Sequence, residues 1–152
     1  RNSHADIAMK LFFASDHAGL NLRRVLMDHA VSLGHEIVDL GPDGTASVDY
    51  PDFGNKLADA LATEPSAQGV AVCGTGIGIS IALNRHSHIR AALVQDVTTA
   101  TLTRLHNDAN VIAFGDRVIG VETAKDALTA FLTTAFEGGR HQRRVEKLTP
   151  AN

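Results

Sequence analysis

The chain has 152 residues, the size of one domain, enough to bury about two-thirds of its unfolded surface. Its formal net charge of −3 lacks the basic excess of a phosphate-binding nucleic-acid partner, and 44% apolar against 20% charged residues excludes a disordered chain. No apolar run approaches the ~20 residues that span a bilayer, so a membrane protein of the helical kind is excluded too.

Residues 1–8 carry no apolar core of the kind a signal peptide needs, and a methionine follows at position 9. They are read as a cloning remnant or extended start, with one domain over 9–152. Lys10 to Ala14 reads as a first strand. Leu22, Val25, Leu26, Ala30 and Leu33 then recur at helical spacing, and Gly34 supplies the glycine that ends such a helix. Glu36 to Asp39 is a second strand, followed by turn chemistry from Gly41 to Gly44. A helix starts near Pro51 and carries Phe53, Leu57, Ala60 and Leu61. Val70 to Cys73 is continuously apolar, as a strand covered on both faces must be.

The alternation continues. A short helix follows Gly78, Ile89 to Val94 is a fourth strand, and Thr98 to His106 a helix. Val111 to Phe114 is a fifth strand, and Ala124, Ala127, Leu128, Phe131 and Leu132 line the next helix. Five β-then-α units predict a single-domain, three-layer α/β/α fold, a doubly wound parallel sheet with helices on both faces. The more charged tail, 137–152, falls outside the repeating unit and has to dock on its own domain or on a neighbour.

Ligands of open α/β sheets bind beyond the carboxyl ends of the strands, and there this chain collects its reactive side chains. Asp16 and His17 follow strand one, and Cys73 ends strand three. Asp96 follows strand four, and Gly115, Asp116 and Arg117 close strand five. Any one of them suffices to cap a helix or close a turn; the collection points to a site. The strongest local signal is Gly74-Thr75-Gly76-Ile77-Gly78. A strand leading through alternating glycines into a helix presents backbone N–H groups at a positive dipole end, a good anion holder. It is not a dinucleotide fingerprint, because Ile79 stands where the third glycine belongs, although Asp96 lies at the distance of a ribose-binding acid. Nor is it a P-loop, since no Gly-Lys-Ser/Thr follows.

Cys73 is the chain's single cysteine, which fits a reducing, cytoplasmic setting. A lone cysteine at a buried strand end is most often a small apolar filler. Next to backbone donors and a helix N-terminus its thiolate is favoured, as a general base or as a nucleophile. A base beside anion-stabilising donors suits proton abstraction next to a carbonyl.

The eight histidines form no metal signature in sequence. His86 and His88 read as solvated loop residues. His106 and Asn107 sit at a helix end before strand five. In the tail Arg140 and Arg144 share one face if helical, either a solvated basic surface or, beside an anion-binding loop, a phosphate clamp.

Together these residues identify a family. The chain from Met9 to about Lys147 resembles the type B ribose-5-phosphate isomerases, grouped with galactose-6-phosphate and allose-6-phosphate isomerases. The resemblance rests on Ser15 to Gly19, Asp49-Tyr50-Pro51, Cys73 to Ser80, Asn84, His106 to Asn110, and Gly138 to Arg144.

It implies a Rossmann-like fold and a cofactor-free, metal-free aldose–ketose isomerase of the pentose phosphate pathway, acting through a cis-enediolate. Cys73 would move the proton between C2 and C1, with Thr75 assisting at the oxygens. The amides of Gly74, Gly76 and Gly78 would hold the enediolate charge. His106, with Asp16 nearby, would open the furanose ring, and Tyr50 would line the sugar pocket. His17, Arg117, Arg140 and Arg144 would bind phosphate, with His141 beside them. Asn107 and the basic tail would come from a second subunit, predicting a homodimer with shared sites; whether dimers pair into tetramers stays open.

One family branch lacks this cysteine and carries a glutamate at the position of Ile79, so Cys73 must supply the base here. Arg85 and His88 also depart, standing where a lysine and a small residue are common. The alternatives are a six-carbon sugar phosphate as substrate, a non-catalytic sugar-phosphate binder, and a dinucleotide-binding protein.

Overall fold

The fold is described from a computed structural model covering residues 7–150, so the proposed remnant, 1–8, lies outside the described residues except for Ile7 and Ala8. In chain order the elements are β1 (Lys10–Ser15), α1 (Leu20–Ser32), β2 (Glu36–Asp39), α2 (Tyr50–Thr63) and β3 (Gln68–Cys73). There follow α3 (Ile77–Asn84), β4 (Ala91–Leu93), α4 (Val97–Asn107), β5 (Val111–Gly115), α5 (Val121–Leu132) and α6 (Arg140–Glu146). The sheet order is β2-β1-β3-β5-β4, and every neighbouring pair is parallel. The doubly wound, five-stranded sheet expected from the alternation is present.

Strand periodicity divides the core. Leu11 and Phe13, Val70 and Val72, and Ile112 and Phe114 face α1, α4 and α5, packing with Leu26, Ala100 and Phe131. The intervening Phe12, Ala71, Cys73 and Ala113 face α2 and α3, against Leu57, Ile79 and Leu83. Both faces are sealed: β3 and β5 are buried at every position, which explains their unbroken apolar runs. Phe13, Phe114 and Phe131 are completely buried, and truncating any one to alanine costs about 3–5 kcal/mol by lost transfer and an unfilled cavity.

Boundaries differ from the sequence reading where backbone geometry intervenes. Helix α3 starts at Ile77 rather than after Gly78, because Gly76, at φ +79°, makes the turn itself. Strand β4 covers only Ala91–Leu93: the Ile89 N–H turns back to the His86 carbonyl and the Arg90 N–H goes to the Asn110 side chain. Its edge is braced by Asn84, whose amide accepts from Ala91 N at 2.8 Å and donates to Ala91 O at 2.9 Å. His86 and His88 are not solvated as expected. They are half-buried and hold the α3–β4 loop to α2 through Asn55 Oδ1 and the Ala58 carbonyl, each at 2.8 Å.

Asp96 caps α4, accepting from the Thr99 N–H at 2.7 Å and the Thr99 hydroxyl at 2.9 Å. These bonds, the backbone one first, hold its carboxyl below the ordinary aspartate range. A depressed native value means that the cap stabilises above the unfolded pKa and fades as pH falls through the native one. Asp96→Ala should therefore lower Tm at neutral pH, with the gap to the parent closing as melts are repeated from about pH 7 to about pH 3. A pH-independent gap would contradict this origin.

Candidate active site

Because all five strands run the same way, their carboxyl ends share one edge. The chain leaves β1 towards β2 on one side and comes back to β3 on the other, opening a crevice between β1 and β3. Three loops meet there. The Asp16 N–H donates to the Val72 carbonyl at 3.2 Å, and the Asp116 N–H to the Cys73 carbonyl at 3.0 Å. The Arg117 N–H reaches the Gly74 carbonyl at 2.9 Å. The loops after β1 and β5 are thus bonded to the end of β3 by main chain alone.

In the β1 loop Asp16 is buried and its Oδ1 accepts from Gly19 N at 3.0 Å, turning the backbone into α1. His17 Nδ1 accepts from Val48 N at 3.1 Å, so the neutral ring carries its proton on Nε2, a donor for an anionic oxygen. In the β3 loop Cys73 is 4% exposed and its Sγ accepts the Gly76 N–H at 3.2 Å. That places a main-chain donor directly against the sulfur. Thr75 is exposed, its hydroxyl accepting from Ile77 N at 3.2 Å. The Gly76 position is closed to any other residue, since an added Cβ would meet Leu93 Cδ1 at 2.5 Å and the Phe114 carbonyl carbon at 2.8 Å. The Tyr50 ring lies over Gly78, and the Arg117 side chain lies over Gly74. Asp16, His17, Tyr50, Cys73, Thr75, the three glycines and Arg117 therefore gather at one edge. Asp96, weighed as a ribose ligand, spends an oxygen on the α4 cap instead.

The remaining residues lie elsewhere. Helix α4 runs back against the strands, so His106 and Asn107, at its end, precede β5 at the amino edge of the sheet. Along β3 and β5 that edge is marked by the Gly69–Val111 pair, and Cys73 pairs with Gly115 at the other. The strand between puts about 13–20 Å between the groups at ~3.3 Å per residue. Within one chain His106 is thus not beside Asp16, contrary to the expectation from sequence. The tail docks on α4 of its own chain: Glu137 N donates to the Leu105 carbonyl at 3.1 Å, and the buried His141 ring stacks on His106 with centroids 4.4 Å apart. Helix α6 forms, so Arg140 and Arg144 do share a face, with both side chains exposed. A cavity of about 450 Å³ at this edge is lined by Asn84, Arg90, Asn107 and Leu148, and by none of the Cys73 group.

Two supporting residues escaped the sequence reading. Arg23, 1% exposed, donates to Ser15 Oγ at 2.7 Å and to the Pro42 carbonyl at 2.6 Å, and pairs with Asp39 at 3.2 Å. Burial pushes its pKa below the ordinary guanidinium value, with Asp39 acting against the shift. Ser15 Oγ passes the tie on to the Asp16 carbonyl at 2.8 Å. Asp116 was noted only as a strand-end residue. Its Oδ2 accepts from Leu22 N at 3.1 Å, an orphan donor in the first turn of α1.

The family description "Ribose/Galactose Isomerase" matches residues 11–148. The chain is 44% identical over 140 residues to ribose-5-phosphate isomerase B of Escherichia coli, covering 92% of this chain and 94% of that one. Among solved structures, the ribose-5-phosphate isomerase B of Clostridium thermocellum superposes with a TM-score of 0.90 at 45% identity, covering 93% of this chain and 95% of that one. The Mycoplasma genitalium enzyme, crystallised with bound ribulose 5-phosphate, gives 0.89 at 38% identity, covering 94% and 95%.

The loop packing is testable by itself. A Cβ on Gly115 would stand 2.5 Å from the Thr75 carbonyl carbon and oxygen, both main chain. Gly115→Ala should cost about 1–3 kcal/mol in denaturant unfolding and displace the Thr75 backbone. An unchanged midpoint would show that the loop yields freely.

Proposed function

The chain belongs to the ribose/galactose isomerase family of aldose–ketose isomerases, and we propose that its substrate pair is ribose 5-phosphate and ribulose 5-phosphate. The observation that carries the mechanism is the Gly76 N–H directed at Cys73 Sγ across 3.2 Å, at the strand edge where Asp16, His17 and Arg117 converge. A sulfur serving only as core filler has no need of a main-chain donor.

In the proposed reaction Asp16 and a histidine, His106, open the furanose by moving a proton from the anomeric hydroxyl to the ring oxygen. The Cys73 thiolate then removes the C2 proton of the open aldose. Charge passes to the carbonyl oxygen, giving a cis-enediolate held by the Gly74, Gly76 and Gly78 amides and the start of α3. Thr75 relays the proton between O2 and O1. The Cys73 thiol returns its proton to C1, leaving the ketose and a regenerated thiolate. His17 Nε2–H and Arg117 bind phosphate from the same chain.

His106, Asn107, Arg140, His141 and Arg144 complete the site from a second copy. Their position at the opposite sheet edge supports this reading, because one chain cannot bring the two groups together. Ile77 and Ile81, four apart on α3 beside the glycine loop, are each 51% exposed, an apolar stripe suited to burial against that copy. The reaction belongs to the non-oxidative branch of pentose phosphate metabolism, in the cytoplasm.

Cys73→Ser should lose about 10²–10⁴-fold in kcat with substrate still binding, and near-normal turnover would end the assignment. Arg140→Ala should chiefly raise KM for ribose 5-phosphate, by about 10–100-fold for a lost charge-assisted phosphate bond. An unchanged KM would remove Arg140 from the site. Refolding the two variants together tests the sharing: a mixed dimer has one intact site of two. At low substrate random pairing should restore about one quarter of parental activity, and none if each chain works alone. A panel of five- and six-carbon aldose phosphates tests the substrate, and faster turnover of a hexose phosphate would overturn the pentose choice.

A further inference from the structure

His106 lies in the last turn of α4, Glu137 follows α5, and His141 lies in the first turn of α6. The fold brings one ligating atom from each within 4.8 Å of the others. The two rings stack with an interplanar angle of 20°, and His141 Nε2 sits 3.2 Å from Glu137 Oε1. Main chain holds this arrangement. Glu137 N is bonded to the carbonyl of Leu105, the residue before His106, and His141 N to the Gly138 carbonyl at 3.0 Å.

Two imidazoles and one carboxylate are the donor set of an open zinc site, which keeps its fourth position for water or an exchangeable ligand. Imidazole and carboxylate together suit a borderline-soft cation such as Zn²⁺ better than Mg²⁺ or Ca²⁺. A metal lies in the plane of each ring that binds it, so capture requires one ring to leave the stack. His106, half-buried, is the ring free to turn; His141 is held by burial. The Arg140 guanidinium, 4.0 Å from Glu137 Oε1, has an exposed side chain that can swing into water as the cation enters.

We propose that His106, Glu137 and His141 form a binding site for a zinc-like divalent cation that plays no part in the isomerisation and competes with the sugar phosphate. Binding stands on the cluster alone. The competition rests on the proposed function, in which His106 and His141 serve the substrate. An occupied site withdraws both rings from that duty, and a bound sugar phosphate that engages the same two rings excludes the metal. The cation is therefore an inhibitor.

The test uses the full chain freed of metal by chelator. Zn²⁺ affinity is read by competition with a chromogenic chelator, and the site's geometry by the visible absorption of Co²⁺ in its place. The parent should bind one Zn²⁺ per chain, and Glu137→Gln should weaken binding by more than about 10-fold. His141→Asn should do the same, while the exposed Glu137 variant covers the risk that replacing a buried histidine unfolds α6. Cys73→Ser and His88→Ala should bind as the parent does. Unweakened binding in Glu137→Gln, or binding lost in Cys73→Ser, overturns the site. With the parent, Zn²⁺ should raise the apparent KM for ribose 5-phosphate and leave kcat unchanged. Zinc bound at the cluster with KM unmoved overturns the competition while the site stands. A chain that binds zinc but isomerises no sugar phosphate defeats the proposed function, and the competition with it, while the site stands.

Discussion

The last carbonyls of β3 are sealed beneath helices on both faces, and a buried carbonyl must find a donor. Val72 and Cys73 find theirs in the N–H groups of Asp16 and Asp116. Those two bonds bring the loops after β1 and β5 to the sulfur, since the donors belong to the residues, or sit next to them, whose side chains face the crevice. The site is thus a by-product of satisfying backbone at the end of a central strand. Asp116 tightens it by capping the first turn of α1, and Arg23 by tying Ser15 to the Gly41-Pro42 turn.

Alternation along the strands decides which face the sulfur takes. Large side chains, Phe13, Val72 and Phe114, fill the α1/α4/α5 face, while Ala71, Cys73 and Ala113 leave the other face shallow. Helices α2 and α3 come close over these small residues, with Gly54 set against Ala82 and Ile79. That approach carries Tyr50, at the start of α2, over the glycine loop. The polar groups at the amino edge are held by a separate device. Arg104, buried, binds the carbonyls of Thr134 and Ala109 and the Asp108 carboxylate, lies over the Phe131 ring, and so fixes the end of α4 and the root of the tail together.

Elements defined by local chemistry were legible in the sequence. The apolar runs of β3 and β5 and Gly34, at φ +92°, needed only burial, period and backbone freedom. The strand-edge residues were legible as well, because strand ends follow from strand positions. Arg23 was not, nor was the bond from Asp116 to α1, since these partners are distant in sequence and nothing local distinguishes either residue from a surface charge. His86 and His88 were misjudged for the same reason: the groups they bind belong to α2, 30 residues away or more. Asp96 had two readings from sequence, and only the Thr99 bonds decide between them. The separation of His106 from Asp16 was within reach. A helix that returns between parallel strands must end at the strands' amino edge, so a residue closing α4 cannot lie beside one that closes β1.

Asn84 bears on how the protein behaves in a crowded solution. Main-chain groups on the outer side of a terminal strand invite another chain's strand, the first step of fibrillar stacking. At Ala91 the Asn84 amide occupies both groups, imitating an adjoining peptide unit without offering a further one. The ladder is terminated by a side chain of the helix just before it, and with only three residues in β4 little is left to template. At the β4 rim one amide thus closes the ladder at Ala91 and removes that residue as a template for another strand.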